Sequence, residues 1–489
     1  MILATVPAAA TERVEFRPSD GTLLEVEDRH HAGMVTVSSH PDGLALTETL
    51  PPDLYLLGLR EVPYSWPSAA LEAQVIAART YLAWTLQRGR SANGRRYGYD
   101  ICATAACQVY SGLDGVLGPG GERWRRAVEA TTGLILFHRG RPAQALYSST
   151  TGGRTRSVED VFAGSEPLPY LTAVESPGEN SPFVSWVFRL DADEMETLLR
   201  QAGVLQGSLI DVSTRRTPDG EGPWMVEIHG TGGVTEVDTW TLRGRLNRAA
   251  SESMPDRLPA RRIDGTGRRY PQTVLSPSYT IGRETWWVLE DGRAVPVDRY
   301  VVAGNGWGHL VGMSQYGAEA MARRGADAEQ ILAHYYSGLT PAPAGRFLPE
   351  QVTVGLAVGR DEISIRPEGP VTVVVDGEPV AEEVLGTWTI RFAGQMVVEP
   401  PTGLGEPPRF TRPHLSDRGT VRSILTAPAE VRVTVADRGR TVVDTGWLLR
   451  DAGPVEEDLT GLEFPTVTFE ARNPQGADRV VFRAPGRVR

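Results

Sequence analysis

The stretch LYLLGLREVPYSWPSAALEAQVIAARTYLAWTL, from Leu54 to Leu86, constrains this chain more than any other. Leu71, Val75, Leu82 and Leu86 recur at helical spacing, and Arg79 falls on the same apolar stripe. Pro67 suits the first turn of that helix, and Gly89 suits the position past its end. A guanidinium on a core-facing stripe is costly without a partner. Arg79 should therefore meet a carboxylate, backbone carbonyls or a ligand, or else pack its stem and send its head to the surface. Just upstream, Glu61 sits in a Glu-Val-Pro turn. An acid held at a turn and a cation held on a buried face are what a catalytic cleft needs.

The chain is too long for one core: 489 residues predict roughly two to four domains. A net charge of −11 argues against nucleic acid as the main partner. No apolar run approaches the ~20 residues of a membrane helix. Lysine is absent, which excludes a lysine base or Schiff base. Two cysteines, Cys102 and Cys107, are too few for a disulfide-built scaffold. Ala8-Ala9-Ala10 is like the small-residue end of a secretory signal, so residues 1–11 read as a possible signal remnant.

Residues 12–50 alternate and turn often, predicting short strands with Asp-Gly turns. His30 and His31 read as a solvated loop between them, with no third metal ligand nearby in sequence. After the long helix come the loop YGYDICATAACQVYS, a helix ERWRRAVEATTG, and a strand pair ending in Ser148-Ser149-Thr150-Thr151-Gly152-Gly153. Hydroxyl residues running into paired glycines make a loop that backbone and ligand can approach closely. Residues 154–303 continue as mixed helix and strand. Glycines 304, 306, 308 and 312 then surround His309 and open onto a helix at Gln315. No GK[ST] follows, so this is not a phosphate loop. A Pro/Gly linker at 341–349 precedes a period-2 β region, 350–489, with the pattern of a sandwich.

Glu61 could protonate a leaving oxygen if burial raised its pKa. A glycosidase usually needs a second carboxylate. Asp100, Glu159 and Asp160 lack convincing spacing for it. A lytic transglycosylase escapes that need, because the sugar's own 6-hydroxyl closes onto C1. The C-x4-C pair could close a small disulfide in an oxidising compartment or supply two zinc ligands; the disulfide is preferred. His309 could bind a sugar, shuttle a proton, or simply bond a neighbouring carbonyl.

Four stretches taken together resemble one family. LREVPYSWPSAALEAQVIAARTY, CATAACQVYSG, ALYSSTTGG, and GNGWGHLVGMSQYGAEAMA followed by ILAHYYSG resemble, in order, the motifs of the SpoIID/LytB family. The resemblance covers about residues 50 to 340 and leaves the C-terminal β region outside it, consistent with one domain of that size. It implies a secreted lytic transglycosylase acting on peptidoglycan strands stripped of stem peptides, with Glu61 as acid and base. The arginine of the family's Ala-Arg-Thr-Tyr run falls on Arg79. Tyr147, Ser148, Ser149, His309, Ser314 and Gln315 are expected to line the cleft. Some members bind zinc through a Cys and a His; here those positions are Cys102 and Cys107, which favours the disulfide. Where the family usually shows His-Gly, this chain has His309-Leu310. Other members are described as amidase enhancers, so a non-catalytic role beside another cell-wall hydrolase is the alternative.

An arginine touching Glu61 would lower its pKa, whereas a general acid needs it raised. Arg79 is therefore expected on the glycan or on the backbone around Glu61. The expected architecture is an α+β catalytic domain over 12–340, β-rich at 12–50, followed by an all-β accessory domain. No cofactor is expected to be required.

Overall fold

The computed structural model describes residues 11–19, 21–215, 224–254, 273–382, 386–401, 407–416, 419–473, 476–484 and 487–488. Residues 1–10, nearly all of the possible signal remnant, lie outside them. The fold is mixed α/β, with many separate sheets. The chain forms two compact units that interleave in sequence. One joins the chain up to Glu61 with Thr85–Arg125 and Leu348–Arg489, and the other joins Val62–Trp84 with Arg126–Phe347.

In the first unit, a seven-stranded sheet carries in order Glu378–Ala381, Val371–Val375, Arg13–Pro18, Met34–His40, Gly43–Leu50, Val352–Arg360 and Ile101–Cys102. A five-stranded sheet places Glu362–Pro367 beside Leu24–Val26, which pairs with Arg29–His31. Val14, Phe16, Leu24, Val26, Val35, Val37, Ile363, Ile365, Val373 and Trp388 share one buried cluster, as the alternation of these strands requires. This corrects the linear division at 341–350. The strands between Val352 and Glu399 complete sheets begun at the N-terminus, because apolar faces at both ends of the chain need each other. Only from Phe410 onward do strands gather around a separate core, with Val421, Val431, Val433, Val435, Val467 and Phe469. His30 and His31 are likewise not in a loop. They lie on a hairpin strand whose turn residues, Glu27 and Asp28, take φ values of 48° and 62°, the left-handed geometry of a two-residue turn.

In the second unit the helix Ser68–Arg88 is buried on most of its circumference through Trp84, not along one stripe. Ala70, Ala73, Ala77, Ala78 and Ala83 are the reason: small side chains let neighbours pack on faces that the leucine spacing leaves unmarked. Ala73, Ile76 and Ala77 share a core with Leu136, Val311, Met313, Ile331, Leu332, Tyr335 and Tyr336. A second core lies among the strands Ser185–Asp191, Leu209–Arg215 and Met225–Gly230, the helices Ala192–Gln201 and Thr239–Ser253, and the hairpin of Tyr279–Glu290 with Arg293–Asn305. No helix of the described residues is long and apolar enough to cross a membrane.

Candidate functional site

Glu61 is half-buried, and its Oε1 accepts the Val109 amide at 2.7 Å. That amide belongs to the Gln108-Val109-Tyr110 run of the second motif. The two segments are zipped together. Arg60 donates its amide to the Val109 carbonyl at 2.9 Å, and Ser111 donates to the Gly58 carbonyl at 2.9 Å. Leu59 and Tyr110 form a β-bridge. Gly58 allows the approach, since a Cβ there would stand 2.2 Å from the Tyr110 ring.

The Gln108–Tyr110 run is itself anchored below. The Tyr55 hydroxyl donates to Gln108 Oε1 at 2.8 Å, and its ring stacks on Tyr110 at 5.3 Å. The Tyr110 hydroxyl donates to Glu48 Oε2 at 2.7 Å. Glu48 is fully buried and also holds His31 Nδ1 at 2.6 Å and the Gly33 amide at 2.9 Å. Burial alone would raise the Glu48 pKa, but His31, Tyr110 and Gly33 outweigh it and hold the carboxyl below its usual value. Cys102 and Cys107 are bonded to each other, with Cα atoms 5.5 Å apart. Both thiols are consumed, so this pair does not fit a zinc ion. The bonded pair closes the loop between the sheet-edge strand Ile101–Cys102 and the Gln108 run.

Arg79 is fully buried. Within its unit it donates to the carbonyls of Val128 at 3.3 Å, Thr131 at 2.5 Å and Leu134 at 3.4 Å. The stripe cation thus meets backbone carbonyls, and its head does not snorkel to the surface. These carbonyls lie at and beyond the end of the helix Gly121–Ala130, where a cation complements the helix dipole. With no exposed surface Arg79 does not offer itself to a glycan, and these carbonyls belong to Val128–Leu134, not to the backbone around Glu61 where the expectation put them.

Tyr147, Ser148, His309, Ser314 and Gln315, expected in one cleft, do come together in the second unit. Tyr147–Ser148 pairs in parallel with Met313–Ser314, and Thr150 bridges Trp307. The glycines of the fourth motif serve this contact. A Cβ on Gly308 would lie 2.6 Å from Ser148 Cβ, one on Gly306 2.6 Å from the Thr150 carbonyl, and one on Gly312 2.0 Å from the Leu146 carbonyl. Ser149 accepts the Tyr316 amide at 3.0 Å through its carbonyl. Ser314 caps the helix Gln315–Arg323 by accepting from Gly317 at 3.2 Å. Gln315 reaches Gln74 of the long helix at 3.4 Å. The buried Ser148 Oγ has no hydrogen-bond partner among the described residues.

His309 accepts the Val311 amide on Nδ1 at 3.0 Å and also hydrogen-bonds the Tyr147 main chain. Its ring packs near Phe162 and Trp240. Burial, with the Arg243 charge nearby, pushes its pKa down to about 4, so it is neutral near pH 7. Leu310 takes φ 68°, in the left-handed region that favours glycine, and is held there fully packed.

Sequence reasoning missed Glu179. Its carboxylate accepts from Thr150 Oγ1, the Thr151 amide at 3.0 Å, Thr151 Oγ1 at 2.6 Å and the Gly152 amide at 3.0 Å. Ser176 and Ser314 add hydroxyl hydrogen bonds. Burial would raise its pKa, yet these donors together hold it low. The segment ESPGENSP carries no periodic signal that marks this glutamate. A buried loop rich in unsatisfied amides and hydroxyls was the available hint.

Fold and site define a mixed α/β protein whose motif loops are locked by one buried and one half-buried carboxylate. The SpoIID family, described as stage II sporulation protein, matches residues 41–138, the part that holds Glu61, Arg79, Cys102 and Cys107. The amidase enhancer of Bacillus subtilis (strain 168) is 28% identical over 302 residues, 57% of this chain and 39% of that protein. Stage II sporulation protein D of Bacillus amyloliquefaciens is 26% identical over 313 residues, 62% of this chain and 77% of the relative. The chain is thus similar to the SpoIID family across the segment that holds its first two motifs.

Proposed function

We propose that this chain is a lytic transglycosylase acting on peptidoglycan glycan strands, preferentially those without stem peptides, at the outer face of the cell envelope. Glu61 protonates the glycosidic oxygen as the C1–O bond breaks. The resulting carboxylate then takes the proton from the 6-hydroxyl of the same sugar as that oxygen bonds C1. The product ends in a 1,6-anhydro ring, and no water is consumed. The observation that carries this reading is the main-chain clamp on Glu61: the Val109 amide on Oε1 fixes the carboxyl at a turn, as a group serving both steps requires. Tyr147, Ser149 and His309, which keep partly exposed surface, are assigned to glycan recognition; the buried Ser148, Ser314 and Gln315 position them. Arg79 is a positioning residue that braces Val128–Leu134.

A second reading is favoured by one relative's name, amidase enhancer, although the alignment spans only 39% of that relative. In it the chain binds the wall and stimulates a separate amidase. Incubation with denuded glycan strands and mass spectrometry of the products decides between the two. Wild type should release 1,6-anhydro ends, and Glu61→Gln should lose at least ~10³-fold, typical of removing a positioned acid and base. Product from Glu61→Gln at the wild-type rate, or none from wild type, overturns the enzymatic reading.

A further inference from the structure

His30 and His31, adjacent in sequence, point to different tasks. His31 is committed to buried Glu48. His30 is half-buried; its Nε2 lies 3.0 Å from Glu368 Oε1, and Glu25, opposite it on the neighbouring strand, brings a second carboxylate to the same group. One ligand atom from each of Glu25, His30 and Glu368 lies within 4.8 Å of the others. The third ligand that sequence spacing did not supply comes from 338 residues away.

We propose that Glu25, His30 and Glu368 bind one zinc ion, with Asp114 orienting the imidazole. Ligands ~2.0–2.1 Å from a tetrahedral zinc stand roughly 3.3 Å apart. The His30 Nε2 to Glu368 Oε1 separation of 3.0 Å is close to that edge. The independent observation is on the other side of the ring. Asp114 Oδ1 lies 2.7 Å from His30 Nδ1, and Asp114 Oδ2 accepts the His30 amide at 2.9 Å. A carboxylate that fixes Nδ1–H and turns Nε2 outward is the supporting arrangement of metal-binding histidines. The three segments are also pinned before any ion arrives. Leu113 donates to the His30 carbonyl at 2.7 Å, Glu368 donates to the Leu23 carbonyl at 2.9 Å, and Arg366 pairs in register with Glu25. Arg366 also forms an ion pair with Glu25, which the ion must share or displace. Three protein ligands leave a fourth position for water. Imidazole with two carboxylates suits zinc better than calcium, which prefers six to eight oxygens. Because Leu113 and Asp114 follow directly on the motif segment that clamps Glu61, an ion here would brace that segment from outside.

The test is calorimetric titration of the chelator-stripped full chain with zinc chloride at pH 7.5. Wild type should bind one equivalent. Glu368→Gln should weaken binding at least tenfold, and Asp114→Asn by 10–100-fold. His30→Asn should abolish it. Glu368 is exposed, so its variant is expected to keep the wild-type far-UV circular dichroism and decides the matter if His30→Asn does not fold. Absence of binding to wild type, equal binding by wild type and Glu368→Gln, or calcium binding tighter than zinc each overturns the assignment.

Discussion

The two units solve the same problem with different chemistry. In the first, the motif segment Gln108–Tyr110 rests on Glu48, a fully buried carboxylate paired with an ionisable histidine. In the second, the loop Thr150–Gly152 rests on Glu179, whose partners there are neutral hydroxyls and amides. Both carboxyls have lowered pKa values despite burial, because several donors aim at each. The difference lies in what fails when the carboxylate is removed. Losing Glu48 strands a buried imidazole and a phenol; losing Glu179 frees a loop. The histidines differ as well. In the first unit burial alone would lower His30, but Asp114 and Glu368 outweigh it and the net shift is upward. In the second, His309 is depressed to about 4.

The largest effect is expected at Glu48. Glu48→Gln should destabilise the fold by about 3–5 kcal/mol in denaturant unfolding, since the buried donors of His31, Tyr110 and Gly33 together lose their charged acceptor. A loss under about 1 kcal/mol would erase the distinction between the units. Next comes His309, whose contribution depends on pH. Unfolded histidine takes up a proton near 6.5, while the folded ring resists to about 4. The unfolded chain thus binds more protons in that window, so stability is full above 6.5 and falls as pH drops through it, by roughly 3 kcal/mol at pH 4. His309→Gln should flatten that slope in a series of melts; an unchanged slope would assign the loss to carboxylates alone. The smallest effect is local. Glu179→Gln should speed hydrogen exchange at the Thr151 and Gly152 amides by 10–100-fold, equivalent to ~1.4–2.8 kcal/mol, with little change in the first unit. Exchange that quickens equally at Val109 would show one cooperative network in place of two clips.

Much of the site was legible in the sequence, since motifs mark the segments that must touch. The paired glycines 152 and 153 marked the Ser148 loop for close approach, and the structure shows which segment approaches it: glycines 306, 308 and 312 of the fourth motif. Arg79 on an apolar stripe announced a partner, which its residue type could not specify among carboxylate, carbonyl and ligand. Glu48 and Glu179 were illegible. A buried carboxylate has no periodicity of its own, and its role exists only once distant donors converge.

The sequence by itself determined the resemblance to the SpoIID family, the long helix from Ser68 and the ordered motifs around Glu61, because these depend on local spacing and on residue types only a few positions apart. Tertiary structure decided that the strands from Val352 to Glu399 complete sheets begun at Arg13, that His30 meets Glu368, and that Glu179 closes the Ser-Thr-Gly loop. Each of these joins residues remote in the chain, where pairing follows from which apolar faces and unsatisfied donors remain after local structure has formed.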